Sequence, residues 1–265
     1  MQTAKAIPRI SFGRGDTPAR PLAAEVAVAL SFNGTTQAVM MASPADLIDF
    51  AYGFATSEGL ARADQIQSVE VVETALGIDL QIWVDPDAEA GLSARRRTMA
   101  GPVGCGLCGI DSLEQALRAA QPVGDARFSM TPSQVMAAMA DLPHHQPLHD
   151  ETRAIHAAAF WQGGVTALRE DVGRHNALDK LIGTMARTST QPTGAVLITS
   201  RVSIDLVQKV ASFGAPVLIA VSAPTDAAVR LADSAGITLI ALARPDRFDL
   251  FTHSHRITKE AANVA

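Results

Sequence analysis

The sequence predicts an α/β protein in which a mostly parallel sheet with flanking helices follows a smaller N-terminal α+β unit. The main observation is that short apolar segments alternate with helical segments in the C-terminal part, an order that favours parallel pairing. The second observation is that the N-terminal part carries hairpin turn signals instead. The apolar segments lie at about 164–169, 194–199, 216–221 and 237–242, and the helical ones at about 174–187, 203–213 and 225–235.

The composition is that of a folded protein with a substantial core. The chain has 265 residues, of which 48% are hydrophobic, and a formal net charge of −5. These values exclude a largely disordered chain and argue against a nucleic-acid-binding protein with a broad basic surface. No apolar run approaches the roughly 20 residues that span a bilayer, and the first residues lack the apolar stretch of a secretory signal. We therefore expect a cytoplasmic protein with neither nucleic acid nor membrane as a partner.

The N-terminal elements are predicted from turn and periodicity signals. Residues 1–20 are rich in Pro, Gly and Arg and predict a flexible lead-in. The α+β unit spans residues 21–98 and begins with a strand at 22–30. Asn33-Gly34 is a hairpin turn signal that leads into a second strand at 37–41.

A helix and another strand pair complete this unit. Ser43-Pro44 is typical of a helix start, and Gly59 of a helix end. Apolar residues between them recur on one helical face. Two further strands are predicted at 69–72 and 77–84, the second with alternating apolar residues.

Glycine becomes frequent after Arg95, which predicts a loop that is free to move. We assign residues 99–110 to this segment and call it the Cys loop. Residues 111–265 form the predicted C-terminal domain. Its first elements are a helix at about 112–120, a helix that begins at Thr131-Pro132, and a polar, His-rich loop at 141–150.

The only two cysteines, Cys105 and Cys108, lie three positions apart in the Cys loop. The glycines leave both sulfur atoms accessible, and the run of arginines at 95–97 favours the reactive thiolate. Such a pair can carry a persulfide, cycle between dithiol and disulfide, supply half a zinc site, or be inert and buried. The histidines available to complete a zinc site are His156, His175, His253 and His255.

Polar side chains also follow three of the predicted strands. Because the carboxyl ends of parallel strands share one edge of the sheet, these side chains are expected to lie together. Hydroxyls at helix starts and arginines suit a phosphate or nucleotide, although ordinary helix caps and solvated arginines explain them equally well. The common dinucleotide and P-loop glycine motifs are absent. The residues are Ser200 and Arg201, Ser222 and Thr225, and Arg244 and Arg247.

The densest polar cluster, at 170–180, lies where a predicted strand turns into a helix. Arg174 and His175 are therefore candidate ligand-binding residues at the same edge. A histidine at such a place is also often a hydrogen-bonded structural residue. The roles of Asp171 and His175 stay open from the sequence.

Several segments, taken in order, resemble the formate dehydrogenase accessory sulfurtransferase family over nearly the whole chain. The glycine-rich segment with both cysteines and the block at 170–183 are the most specific. The segments are GPVGCGLCG at 101–109, HAAAF at 156–160, EDVGRHNALDKLIG at 170–183, the segment at 200–225 and the tail at 236–253.

The resemblance implies a sulfur carrier. Members of this family accept persulfide sulfur from a cysteine desulfurase and pass it to the Mo-bis(molybdopterin guanine dinucleotide) cofactor that formate dehydrogenase requires. The resemblance also implies a homodimer, a cytidine-deaminase-like fold in the C-terminal domain, Cys105 as the persulfide carrier and Cys108 as its assistant. GDP is then the expected mimic of the cofactor, and no bound metal is expected. The family's cofactor-binding stretch corresponds to Leu242, Ala243, Arg244, Pro245, Asp246 and Arg247.

Two departures bear on these expectations. The family often has a glycine pair before the histidine at 156, where this chain has Arg153 and Ala154. A close backbone approach of ligand is then in doubt, and Arg153 offers an anion contact instead. The zinc-binding motifs of cytidine deaminases are missing, so their chemistry does not come with the fold. The alternative to a sulfurtransferase is a chaperone that binds the molybdenum cofactor without transferring sulfur.

Overall fold

The computed structural model describes residues 1–9, 19–99, 120, 122–124 and 128–258. Among these residues the strands form a two-stranded, a four-stranded and a six-stranded sheet. The N-terminal elements are β1 Ala4–Pro8, β2 Ala19–Ala23, β3 Val26–Phe32, β4 Thr35–Ala42, α1 Leu47–Ser57, a 3-10 turn Ala63–Gln65, β5 Ile66–Thr74, β6 Gly77–Val84 and α2 Pro86–Met99.

The remaining elements belong to the C-terminal part. They are α3 Pro132–Asp141, a 3-10 turn Leu142–His145, α4 Pro147–Thr152, β7 His156–Trp161, β8 Val165–Asp171, α5 Arg174–Arg187, β9 Ala195–Ile198, α6 Ile204–Phe213, β10 Val217–Ala220, α7 Asp226–Ser234, β11 Thr238–Arg244, β12 Arg247–Leu250 and a 3-10 turn Ser254–Arg256.

The four-stranded sheet has the order β4-β3-β6-β5 and is built from two hairpins. The predicted turn at Asn33-Gly34 joins β3 to β4, with both residues at positive φ. Alternate residues of β6, from Ile78 to Val84, point inward against α1. The predicted hairpin turn and the alternation of β6 are therefore confirmed. The helix start predicted at Ser43-Pro44 is wrong, because α1 begins at Leu47.

The structure corrects the two ends of the flexible lead-in predicted at residues 1–20, whereas residues 10–18 lie outside the described residues. Residues Ala4–Pro8 form β1, which pairs antiparallel with β2 at Ala19–Ala23. Composition was misleading here because backbone pairing with another strand does not require apolar residues. The strand predicted at 22–30 is likewise split into β2 and β3.

The six-stranded sheet is mixed rather than mostly parallel. Its order is β12-β11-β10-β9-β7-β8, and β9, β10 and β11 pair in parallel. β7 is inserted between β8 and β9 and runs antiparallel to both. The four predicted strands therefore point in the same direction, but β8 does not pair with β9. The sequence did not predict β7, because its run of alanines at 157–159 has low strand propensity.

Two further predictions of irregular chain are wrong. Helix α2 extends through Arg95 to Met99, so the loop does not begin at Arg95. The polar segment at 141–150 is a 3-10 turn followed by α4, each with a proline in its first turn. Proline fits the first turn of a helix because its missing N–H has no intrahelical acceptor there. The helix predicted at Thr131-Pro132 is confirmed. The Thr131 hydroxyl caps it by accepting a bond from the backbone N–H of Gln134, and the Gln134 side chain accepts one from the backbone N–H of Thr131.

The N-terminal unit is joined to the C-terminal part by a close crossing of α1 and α5. Gly53 and Gly183 face each other at the crossing. A Cβ atom at Gly53 would lie 1.6 Å from the carbonyl oxygen of Asp179, and one at Gly183 would lie 1.8 Å from that of Asp49. The crossing therefore requires glycine on both helices. The cytidine-deaminase-like fold of the C-terminal domain stays a prediction.

Candidate functional site

The segments that follow β9, β10 and β11 lie together at the carboxyl edge of the six-stranded sheet, as expected. The backbone N–H of Val221 donates to the carbonyl oxygen of Ile198 at 3.0 Å. Farther along, the N–H of Val202 donates to Ala223 at 3.2 Å, and the N–H of Leu242 donates to Ser222 at 3.3 Å. These bonds connect the three strand-end segments into one continuous surface. We call it the carboxyl edge.

The residues at 242–247 form one end of this edge. Leu242 has a positive φ of 53° and lies in a bulge of β11, which leaves its side chain 40% exposed. The Arg244 guanidinium donates through Nη1 to the carbonyl oxygens of Val221, at 2.6 Å, and Ala243, at 2.8 Å. Arg244 is thereby held against the strand ends. Asp246 and Arg247 form an exposed ion pair in the turn that Pro245 begins.

The hydroxyl residues of the edge differ in what they contact. Ser200 is buried, and its Oγ donates to the carbonyl oxygen of the exposed Arg201 at 3.0 Å. Thr225 caps α7 by accepting a bond from the N–H of Ala228 at 3.2 Å. Ser222 is half-buried and supplies the carbonyl that Leu242 binds. Capping of α7 therefore explains the hydroxyl of Thr225 without a ligand.

His156 lies at the same edge, although from the sequence it was only a possible zinc ligand and the start of the HAAAF segment. It is the first residue of β7 and is paired in register with Asp171, the last residue of β8. Its Nδ1 lies 3.5 Å from Oγ1 of Thr199, which also accepts a bond from the N–H of Ala157. The insertion of β7 between β8 and β9 brings His156 here. No pattern in the sequence predicted that β7 is inserted there.

Arg174 and His175 begin α5 beside His156. Burial, and then the charge of Arg174, lower the pKa of His156. Burial, with further contributions from Arg174 and Lys209, lowers the pKa of His175 to about 4. Its Nε2 lies 3.7 Å from a carboxylate oxygen of Asp205 on α6. Both imidazoles are therefore neutral at pH 7 and lie next to a permanent positive charge.

The lowered pKa of His175 predicts a loss of stability in mild acid. The unfolded chain takes up a proton at this residue below about pH 6.5, whereas the folded chain does so only near pH 4. Stability therefore falls as the pH drops through this window, by at most about 3 kcal/mol from this residue. Urea unfolding at intervals between pH 4.5 and 7 should show a shallower fall for His175→Gln. Equal slopes in both proteins would contradict the prediction.

Asp171, whose role the sequence left open, is a structural residue. Its carboxylate accepts a bond from Nζ of Lys180 at 2.6 Å, and both side chains are fully buried. The same carboxylate accepts bonds from the backbone N–H of Ser43 and of Gly173 and from the side chain of Asn176. Lys180 also donates to the carbonyl oxygen of Ser43 at 2.9 Å. The polar block at 170–180 thus fastens the C-terminal sheet to the N-terminal unit.

A second buried cluster has the same effect and is built around Asp179, the residue directly before Lys180 on α5. Nζ of Lys209 donates to both carboxylate oxygens of Asp179, at 2.9 and 3.0 Å, and to Ser57 and Glu58 at the end of α1. Asp179 also accepts a bond from Ser57 at 2.6 Å. The acidic and basic residues of this motif are therefore used in the interior, while Arg174 and His175 remain at the edge.

The other sequence candidates lie elsewhere or outside the described residues. Cys105 and Cys108 are outside, as are residues 112–119 of the helix predicted at 112–120. Arg153 ends α4 with a φ of 59° and forms an exposed pair with Asp150. Glycine adopts this conformation without strain, whereas a residue with a side chain adopts it less readily. The described residues hold no group of three metal-ligating side chains.

The described part of the chain contains no helix that is long and apolar enough to cross a membrane.

Fold comparison finds a candidate formate dehydrogenase accessory protein from Desulfotalea psychrophila, with a TM-score of 0.78 and 24% identity. The match covers 97% of this chain and 100% of the other, and at this identity it supports the fold alone.

Sequence comparison is more specific. The sulfur carrier protein FdhD of Agrobacterium fabrum is 51% identical over 252 residues, which cover 92% of this chain and 93% of that protein. The sulfur carrier protein FdhD of Cupriavidus necator is 46% identical over 256 residues, which cover 94% and 88%. The model of the FdhD/NarQ family matches residues 23–258. The chain is therefore a member of the FdhD/NarQ family.

Proposed function

We propose that this protein is a sulfurtransferase that supplies sulfur to the molybdenum cofactor of a formate dehydrogenase. It accepts persulfide sulfur on Cys105 from a cysteine desulfurase, with the assistance of Cys108. It then passes the sulfur to Mo-bis(molybdopterin guanine dinucleotide), acting as a cytoplasmic homodimer. The observation that carries the proposal is the 51% identity, over 92% of this chain, to a protein named as a sulfur carrier.

The carboxyl edge supports an anionic acceptor. A guanine dinucleotide cofactor carries diphosphate groups, and arginine is the preferred side chain for binding them. Arg174 and Arg244 lie at this edge on structured elements. The exposed Arg201 and Arg247 lie beside them, and Arg247 is the first residue of β12. The edge thus gathers four arginines on a chain whose formal net charge is −5. That contrast favours a local site for one anionic ligand over a generally basic surface.

The sulfur-accepting step is a thiol exchange. The thiolate of Cys105 attacks the terminal sulfur of the donor persulfide, a new S–S bond forms at Cys105, and the S–S bond of the donor breaks. The electron pair of that bond leaves with the donor sulfur, which takes the proton that Cys105 released. The products are a donor thiol and a Cys105 persulfide. No external oxidant or reductant is consumed.

Mass spectrometry of the intact protein tests this proposal. After incubation with a cysteine desulfurase and cysteine, without reductant, we expect a gain of one sulfur atom that is lost on reduction. Cys105→Ala should abolish the gain and the activation of formate dehydrogenase. Cys108→Ala should retain the added sulfur while it slows the later transfer.

The two cysteine variants serve as controls for each other, since the two residues lie three positions apart in the sequence. Sulfur that is retained in Cys105→Ala and lost in Cys108→Ala would keep the carrier function and reverse the assignment of the two cysteines. Absence of added sulfur on the unaltered protein, with an active desulfurase, would contradict the carrier function. It would favour a chaperone that only binds the cofactor.

A further inference from the structure

The chain between the end of β8 and the first turn of α5 is closed by its own hydrogen bonds. We call residues 171–176 the edge turn, because they lie at the carboxyl edge. Oδ1 of Asp171 accepts a bond from the backbone N–H of Gly173 at 2.8 Å and another from Nδ2 of Asn176 at 3.0 Å. The side chain of Asn176 therefore folds back over the edge turn and joins its end to its beginning.

Gly173 leaves the space that this side chain occupies. A Cβ atom at position 173 would lie 2.8 Å from Nδ2 of Asn176 and 3.4 Å from Oδ1 of Asp171. The φ of Gly173 is −99°, which any residue can adopt, so glycine is needed here for space rather than for its backbone conformation. Asn176 is only 2% exposed. Its amide is therefore fixed inside the protein.

The same amide connects the edge turn to the N-terminal unit. Nδ2 of Asn176 also donates to the carbonyl oxygen of Met41, near the end of β4, at 2.8 Å. Both N–H bonds of the amide are thus used. Beside it, the N–H of Ser43 donates to Oδ2 of Asp171 at 3.0 Å, and Oγ of Ser43 accepts a bond from the N–H of Val172 at 3.1 Å. The edge turn is therefore held both from within and from the N-terminal unit.

Arg174 and His175 are the two residues of the edge turn that none of these bonds involves. Nε of Arg174 forms no hydrogen bond within the described part of the chain. The bonds that shape the turn thus use the residues around these two and leave their side chains at the carboxyl edge. A binding site whose supporting residues are already bonded loses less conformational entropy when its ligand binds.

We propose that Asn176 is a positioning residue for sulfur transfer to the cofactor, because it holds the edge turn against β4 and thereby fixes Arg174 and His175 before the cofactor binds. This inference rests on the proposed function, which supplies an anionic cofactor at the carboxyl edge. Asn176 stays in the interior and does not touch the ligand. It acts on the binding of the cofactor and not on the acceptance of sulfur by Cys105.

The test compares two properties of Asn176→Ala, both measured below its thermal transition, which circular dichroism locates. The gain of one sulfur atom in the mass spectrum should equal that of the unaltered protein, because Cys105 accepts sulfur without using the edge turn. The dissociation constant of GDP, measured by calorimetric titration, should rise about tenfold, because two side chains must then be ordered when the nucleotide binds. Activation of formate dehydrogenase should fall accordingly. A residue that only stabilises the fold would not separate sulfur acceptance from GDP binding.

Ser43→Ala and Ser57→Ala form a matched pair that decides the question if the first variant does not fold. Both serines are buried, and each forms hydrogen bonds through its hydroxyl. Ser43→Ala removes the acceptor that holds Val172 in the edge turn and should raise the dissociation constant of GDP about threefold. Ser57→Ala removes the donor to Asp179, which lies outside the edge turn. It should leave GDP binding unchanged.

The inference would be overturned if folded Asn176→Ala bound GDP as tightly as the unaltered protein, or if it also lost the gain of sulfur. Equal weakening of GDP binding by Ser57→Ala and Ser43→Ala would overturn it as well, because a general loss of stability would then explain the effect. So would a failure of GDP to bind to unaltered protein that still accepts sulfur. Failure of the carrier function itself would appear separately, as the absence of added sulfur on the unaltered protein.

Discussion

Gly53→Ala is expected to disrupt the packing of α1 against α5. A Cβ atom at position 53 would lie 1.6 Å from the carbonyl oxygen of Asp179 and 2.9 Å from the backbone nitrogen of Gly183. Both contacts are with backbone, which cannot rotate away as a side chain does, so the helices must separate. The buried bonds of Asp179 with Lys209 and Ser57 lie in the same interface and would be stretched. We expect a loss of more than about 4 kcal/mol in the free energy of unfolding, measured by urea titration.

Gly91→Ala is the matched control for this prediction. Gly91 also lies within a helix, α2, but no atom lies within 4 Å of the Cβ that alanine would add. Alanine is the better helix former, so this variant should gain about 0.5–1 kcal/mol. If Gly53→Ala loses soluble expression, a comparison of soluble yield and of protease resistance with Gly91→Ala replaces the titration. Similar stability of the two variants would contradict the close crossing.

Lys180→Met is expected to cost about 3–5 kcal/mol, because it leaves the Asp171 carboxylate buried without its cation. Both side chains of this pair are 0% exposed, and Nζ lies 2.6 Å from Oδ2. Methionine fills a similar volume, so the loss reports on charge rather than on a cavity. The melting temperature should fall by roughly 10 °C, measured by differential scanning calorimetry.

Two further variants separate the charge from the packing. Adding Asp171→Asn to Lys180→Met removes the unpaired charge and should recover part of the loss. Arg230→Ala breaks an exposed ion pair with Asp226 on α7, in which both side chains are more than two-thirds exposed. It should change stability by no more than about 0.5 kcal/mol. A cost for Lys180→Met that is as small as this would show that Asp171 does not depend on its lysine.

The two interior clusters explain why the polar block at 170–183 could be read only in part from the sequence. Its position between a strand and a helix predicted residues at the ligand-facing edge, and Arg174 and His175 are there. The sequence could not show that Asp171, Lys180 and Asp179 turn inward. Their partners, such as Ser43 and Lys209, lie far away along the chain. Partners that lie far apart in the sequence are identified only from the folded structure.

Local pattern determined much of this protein's secondary structure. The hairpin at Asn33-Gly34, the alternation of β6, the capped start of α3 and the strands β8 to β11 are all encoded within a few neighbouring residues. The strand-end segments therefore came together at one edge, since parallel strands must end on the same side of a sheet. The family resemblance was also contained in the sequence alone, through the segments that hold the cysteines and the block at 170–183.

Only the tertiary structure decided how those elements are paired. β1 and β7 have little strand propensity of their own and exist because neighbouring strands offer hydrogen bonds to their backbones. The insertion of β7 made the sheet mixed and brought His156 beside Arg174, so it also decided the composition of the candidate binding site. Strand pairing and helix crossing are contacts between residues that are distant in sequence. Local sequence patterns do not specify such contacts. This is why the edge and His175 could be predicted, whereas the position of His156 at the same edge could not.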